Sequence, residues 1–186
     1  MKLQKFNRLV EALMGLPTVG KKSALRFAYY LTLTDAFAAM RLAHAIEDAV
    51  RHIGRCEKCG GVSEHEICEI CIDEMRNNGQ LCVVENAKDI FTLEENGLFS
   101  GRYFVFDDLE KIEKLKDIIR DAEAKEVIFA FTPSLASDAM ILFIEDKLQD
   151  LNLSFTKIAQ GVPTGVQLEN VDMLSLAKAL KDRIKI

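Results

Sequence analysis

Long apolar runs are missing from this 186-residue sequence. No stretch approaches the roughly 20 apolar residues that a helical membrane span requires, which excludes membrane-spanning functions. A secretory leader is not expected either, because Met1-Lys2-Leu3-Gln4-Lys5 leads into an amphipathic helix, and a cytoplasmic location is anticipated. Internal repeats and low-complexity tracts are absent, which removes solenoids and disordered arrays from consideration. Cysteine is sparse, at five residues. A disulfide framework would need an oxidising compartment, and nothing here calls for one. What is present is ordinary for a folded chain: 49% apolar and 28% charged residues. That length and composition suit one or two compact domains with a small stapled module.

Four of the five cysteines form Cys56-Glu57-Lys58-Cys59 and Cys68-Glu69-Ile70-Cys71, two C-x2-C pairs eight residues apart. Each pair lets one tight turn present two thiolates, and two pairs complete the tetrahedral four-sulfur shell of structural zinc. The intervening loop, Gly60-Gly61-Val62-Ser63-Glu64-His65-Glu66-Ile67, is too poor in apolar residues to build a core. Metal binding is expected to supply its order. His65 reads as a loop residue, and Cys82 as a buried strand position.

Net charge is −5, but it is unevenly spread. Residues 1–60 hold ten Lys/Arg against five Asp/Glu, while the rest holds 14 against 24. A basic front half suits a polyanionic partner. Phe6, Leu9, Val10 and Leu13 recur at helical spacing within residues 2–14. A second pattern runs from Lys21 to about Leu33 through Ala24, Leu25, Phe27, Ala28 and Leu31. The turn between them, Gly15-Leu16-Pro17-Thr18-Val19-Gly20, makes an αα-hairpin. Gly20 is expected to open the second helix in a conformation that bares backbone amides, which suits phosphate, with Lys21, Lys22 and Arg26 adding full charges. The hairpin resembles the helix-hairpin-helix motif of DNA-binding proteins, with Thr18 where that motif has its first glycine. A third helix is expected from an N-cap at Thr34–Asp35 to His52, with Phe37, Met40, Leu42, Ala43, Ile46 and Val50 as its apolar face and His44 packed among them. Arg41, Arg51 and Arg55 either join the basic surface or keep this region solvated.

Beyond Asn77-Asn78-Gly79 the pattern changes. Apolar runs at Leu81–Val84, Tyr103–Phe106 and Val127–Phe131, with Ser154–Ile158, read as strands of the buried parallel type. Helices are expected over 87–95, 108–124, 135–149 and from Asp172 to about Arg183. This alternation predicts an α/β fold, a parallel sheet covered on both faces behind an α-helical N-terminal part. Function collects at the carboxyl ends of such strands. Glu85 ends the first strand, and Asp138 follows Thr132-Pro133-Ser134 after the third. Together they hold Mg2+, or they are simply solvated rim acids.

Taken in order, Gly15 to Ala24, the paired C-x2-C, Cys82-Val83-Val84-Glu85, and Gly161-Val162-Pro163 with Leu168-Glu169 and Asp172 resemble the RecR family of bacterial recombination mediators. The resemblance covers nearly the whole chain. It implies a helix-hairpin-helix domain over 1–53, a four-cysteine zinc finger over 54–77, a Toprim-like domain over 78–160, and a C-terminal segment over 161–186 that completes the sheet or a subunit contact. One structural Zn2+ per chain would sit on Cys56, Cys59, Cys68 and Cys71. DNA phosphates would meet Gly20, Lys21, Lys22 and Arg26, with the family's lysine and arginine falling on Lys22 and Arg26. Glu85 takes the Toprim glutamate position, and the rim with Asp138 would dock a basic partner. The implied activity is not catalytic. Ring-like homo-oligomers, dimeric or tetrameric, would hold DNA and act with RecO, and in many bacteria RecF, to load RecA on gapped DNA coated by single-strand-binding protein. Two departures accompany Thr18: the Gly/Pro-rich loop after the second strand is missing at Phe106-Asp107-Asp108, and Ala136-Ser137-Asp138 lacks one family acid. A Toprim-type Mg2+-dependent nucleic-acid enzyme is the alternative, and a sequence-reading zinc-ribbon regulator is a further one.

Overall fold

The structure, a computed structural model, describes residues 3–95, 97, 99–159, 161, 162 and 164–181. Lys2, Pro163 and Arg183, which figure in the expectations above, lie outside the described residues. The chain divides into two compact units, Met1–Ile53 and Gly54–Ile186.

In the first unit, α1 (Gln4–Met14) packs on α2 (Lys21–Tyr29). Buried Val10, Ala24 and Ala28 form the seam, with Phe6, Leu9, Leu13 and Val19 around them. Alanines one helical turn apart leave room for close helix approach, so this small core fits its short helices. The second helix does not run evenly to Leu33. Its pitch widens into a π-helical turn over Tyr30–Thr34, where the Thr32 hydroxyl donates to the Ala28 carbonyl at 2.7 Å. Asp35 then caps α3 (Ala36–His52) by accepting the Ala38 N–H at 2.8 Å, as the sequence suggests.

Several apolar expectations fail in this unit. Leu25 and Phe27 are exposed, and α3 has no buried residue: Phe37, Met40, Leu42, Ile46 and Val50 all face solvent. His44 is exposed rather than packed. Periodicity locates an apolar stripe correctly, but it does not say whether the same chain covers it.

In the second unit, the short pair β1 (Gly54–Arg55) and β2 (Val62–Ser63) opens the cysteine module, which closes with α4 (Glu69–Ile72) and a 3-10 turn over Glu74–Arg76. A four-stranded parallel sheet follows, ordered β4-β3-β5-β6, from β3 (Gln80–Val84), β4 (Arg102–Val105), β5 (Glu126–Ala130) and β6 (Ser154–Lys157). Its helices are α5 (Ala87–Glu95), α6 (Ile112–Asp121), α7 (Leu135–Leu148) and α8 (Met173–Lys181). Side chains alternate across the strands. Leu81, Val83, Phe104, Val127 and Phe129 face α6 and α7 through Leu115, Ile119, Ile144 and Leu148. Cys82, Val84, Tyr103 and Val105 face α5 and the cysteine module through Ile90 and Ile70. Cover on that second face thins beyond β3. β5 alternates buried with half-buried residues, and edge strand β6 is largely exposed, so two-sided burial holds for β3 and β4 and lapses toward β6.

The expected helix over 108–124 starts instead as a 3-10 turn, Leu109–Lys111, capped by the Asp108 carboxylate on the Glu110 N–H at 3.0 Å. It ends as α6 at Asp121, near Glu123 with its positive φ of 45°.

Candidate nucleic-acid interface and metal centre

The hairpin turn assigns its backbone roles differently from the sequence reading. The Gly15 amide closes α1 onto the Glu11 and Ala12 carbonyls, and the Val19 N–H returns to the Leu16 carbonyl. Thr18 carries the left-handed conformation, with φ at 65°. It thus adopts the shape for which the motif ordinarily uses glycine. Gly20 does not need glycine's freedom, since its φ of −81° and ψ of 168° are ordinary extended backbone. What Gly20 contributes is bareness: a Cβ there would meet nothing within 4 Å. Its carbonyl accepts the first helical bond, from the Ala24 N–H at 3.0 Å, and no side chain caps the amides that follow. Those amides and the helix dipole stay open to an anion.

Lys21, Lys22 and Arg26 are all exposed, and α2 has no acid in its first turn. None of the ion pairs among the described residues involves them. By contrast, Arg51 is paired with Glu47 and Arg55 with Asp107, at 3.2 Å for the latter. At the start of α2, unneutralised cations and open amides coincide.

Cys56, Cys59, Cys68 and Cys71 converge in the second unit. Their four sulfurs lie within 4.8 Å of one another and all four residues are buried. The Cys59 and Cys68 sulfurs are 3.6 Å apart. A tetrahedron of Zn–S bonds of about 2.3 Å has edges of about 3.8 Å, so the spacing fits zinc. Backbone amides also aim at sulfur, Gly61 N–H to Cys59 Sγ at 3.3 Å and Cys68 N–H to Cys56 Sγ at 3.2 Å. Hydrogen bonding from Cys59 draws the Cys68 thiol below the ordinary thiol range, while the same contact and burial push Cys59 above it. Four thiols so crowded cannot all ionise without a dication between them, and Zn2+ supplies that charge. Among the described residues, the apolar support of the cluster is Ile67 and Ile70. His65 is exposed, as expected of a loop residue. Cys82 stands apart in β3, buried, its thiol pushed up to about 12 by desolvation.

The module is fastened to the sheet. The Val105 N–H donates to the Cys59 carbonyl at 2.8 Å. Gly60, at φ 75°, lies against Val105, where a Cβ would approach to 3.3 Å. Asp107 pairs with both Arg55 and Lys111, so the short Phe106-Asp107-Asp108 connection ties the module to the start of α6. A further anchor escaped the sequence reading. Arg76 grips Glu94 with both guanidinium nitrogens, one at 2.8 Å, and the Tyr103 hydroxyl donates to the same carboxylate at 2.7 Å. The Arg76 hydrogen bonds hold the Glu94 carboxyl below the usual carboxylate range. Arg76 sits in a stretch that reads simply as polar boundary, and no local signal marks it.

Glu85 and Asp138 both stand at the carboxyl edge of the sheet, and both are engaged. Glu85 accepts the Thr132 N–H at 2.9 Å. Asp138, exposed in the first turn of α7, pairs with Lys157 at 3.1 Å. Ala136 stands where the sequence loses an acid, and the neighbouring Ser137 caps α7 with Ser134 and donates to the Thr132 carbonyl at 2.6 Å. Among the described residues, neither carboxylate belongs to a cluster of three possible metal ligands.

Two family models match the chain: the RecR helix-hairpin-helix over residues 6–50 and the RecR four-cysteine zinc finger domain over residues 53–73. Full-length relatives agree. A protein of a Nitratiruptor species is 57% identical over 187 residues, spanning 100% of this chain and 98% of the relative. One from Campylobacter jejuni (strain 81-176) is 57% identical over 186 residues, 99% of this chain and 98% of its own. One from Helicobacter pylori (strain Shi470) is 49% identical over 185 residues, 98% of this chain and 96% of its own. Each is named Recombination protein RecR.

Proposed function

Because the chain belongs to the RecR family of recombination proteins, we propose that it is a non-catalytic mediator of recombinational DNA repair that holds DNA by its phosphate backbone. Lys21, Lys22, Arg26 and the amides after Gly20 form the contact surface, and base sequence is not read. The chain acts as a homo-oligomer, a dimer or a tetrameric ring, with RecO and in many bacteria RecF. Together they promote RecA loading on gapped DNA coated by single-strand-binding protein. The observation that carries this reading is the open α2 start, where three exposed, unpaired cations surround uncapped amides.

One such patch gives weak binding that falls steeply with salt, because each phosphate contact releases counterions. Assembly compensates by raising the effective concentration of neighbouring patches. Exposed apolar residues on α3 in the first unit and on α8 in the second, Met173 and Leu174 among them, supply two separate surfaces for subunit contacts. The rim favours docking over phosphoryl chemistry. Glu85 and Asp138 already have partners within the chain, and Ala136 stands where a third carboxylate would serve a metal.

The test is the double variant Lys22→Ala/Arg26→Ala, measured by fluorescence anisotropy on unrelated DNA sequences across a salt series. Binding should be lost, or the log–log salt slope should shrink by about 0.9 for each contact removed. Helix content and particle mass should not change. Wild-type affinity in the double variant would overturn the assigned surface.

A further inference from the structure

An α-helix turns about 100° per residue, so Lys22, Arg26 and Tyr29 fall within about 60° of one another around α2. The buried seam of Ala24 and Ala28 lies on the opposite side. The two cations and the tyrosine thus form one outward stripe, with Tyr29 58% exposed at its end. Adjacent Tyr30 has its hydroxyl 3.5 Å from the Asp35 carboxylate. The Tyr29 hydroxyl has no partner among the described residues. An exposed aromatic continuing a row of unpaired cations is the arrangement that single-stranded nucleic acid uses: charges for the backbone and a flat ring for a base.

We propose that Tyr29 is a stacking platform for an unpaired nucleobase, so that the α2 stripe takes single-stranded DNA in preference to duplex. This rests on α2 being the phosphate-binding surface and adds the class of DNA it selects. Arg26 and Tyr29 are three residues apart, which brings their Cβ atoms to about 5–6 Å. A strand with phosphates on Lys22 and Arg26 then carries its bases past the ring. Stacking tolerates any base, since every base has a π face, whereas a duplex keeps those faces covered. A second copy of the chain is a poorer occupant. A two-fold contact through this stripe would set Lys22 and Arg26 against their own like charges.

The experiment compares full-length wild type, Tyr29→Ala and Tyr29→Phe by anisotropy on labelled oligothymidine and on a duplex of equal length at one salt concentration. Tyr29→Ala should weaken oligothymidine binding by about 5- to 150-fold and leave the duplex unchanged, while Tyr29→Phe keeps wild-type affinity. The chain has no tryptophan and three tyrosines, so tyrosine emission gives a direct second readout. Oligothymidine should quench wild-type emission, and Tyr29→Phe should lose much of that quench while still binding. Equal losses on both substrates, or no loss on either, would overturn the proposal. So would a fall in particle mass for Tyr29→Ala by light scattering, which would make the ring a subunit contact. If Lys22→Ala/Arg26→Ala loses binding while Tyr29→Ala keeps it, only the stacking platform fails. If the double variant binds normally, the underlying surface fails as well.

Discussion

Thr18 holds φ at 65°, a region where a β-branched side chain crowds its own backbone. Such a residue costs about 1–3 kcal/mol, and glycine at the same place removes most of that strain while adding about 0.4–1 kcal/mol of unfolded-state entropy. Thr18→Gly should therefore stabilise the hairpin by about 1 kcal/mol. Native-state hydrogen exchange of the α1 and α2 amides measures this locally, and protection should rise roughly fivefold. Unchanged or faster exchange would mean that Thr18 is not strained. The same residue refines the sequence reading. A missing glycine suggests a weakened backbone approach, yet Thr18 takes the left-handed conformation itself, and the bare position at the start of α2 is Gly20.

At the scale of elements, the cysteine module depends most plainly on one bond set. Its interior is four sulfurs with Ile67 and Ile70, far too little apolar area to hold the loop. Binding free energy for a structural zinc, about 10–16 kcal/mol in small fingers, is in effect the folding free energy of such a module. Cys59→Ser should reduce zinc from one per chain to near zero by elemental analysis, and should open residues 54–77 to protease while the sheet core stays resistant. Retained zinc would remove Cys59 from the ligand set. The module was legible in the sequence because its signal is local, two identical turns at short spacing. The strands were legible too, since Leu81–Val84 and Val127–Phe131 are continuous apolar runs. Contacts made at a distance were not. Glu94 meets Arg76 across 18 residues and Tyr103 across nine, and only the folded sheet brings the three together. Likewise Lys157 reaches Asp138 only because β6 lies beside β5. Nor does helical period reveal cover, which is why Phe27, Phe37 and Val50 read as core and prove exposed.

For the molecule as a whole, that missing cover has a consequence. Leu42, Ala43, Ile46 and Val50 follow one side of α3, all exposed, with Val50 at 78%. Burying a Val or Ile side chain gains about 1.5–3 kcal/mol, so a stripe of this length left in water is a strong drive toward association. On the proposed reading, assembly matters to function because each subunit would offer few phosphate contacts. Linked patches can exceed the affinity of one patch by about 10²–10⁴ without any new contact. Ile46→Asp/Val50→Asp places two like charges one helical turn apart on that stripe and leaves Lys22 and Arg26 untouched. Light scattering should show a smaller particle than wild type, with unchanged zinc content and helical signal. Retention on long gapped DNA should fall by at least tenfold, whereas binding to an oligonucleotide short enough to meet one subunit should hardly change. An unchanged particle mass would separate α3 from the assembly. A smaller particle with full retention on gapped DNA would instead show that single subunits hold DNA unaided, and the link between assembly and grip would be lost.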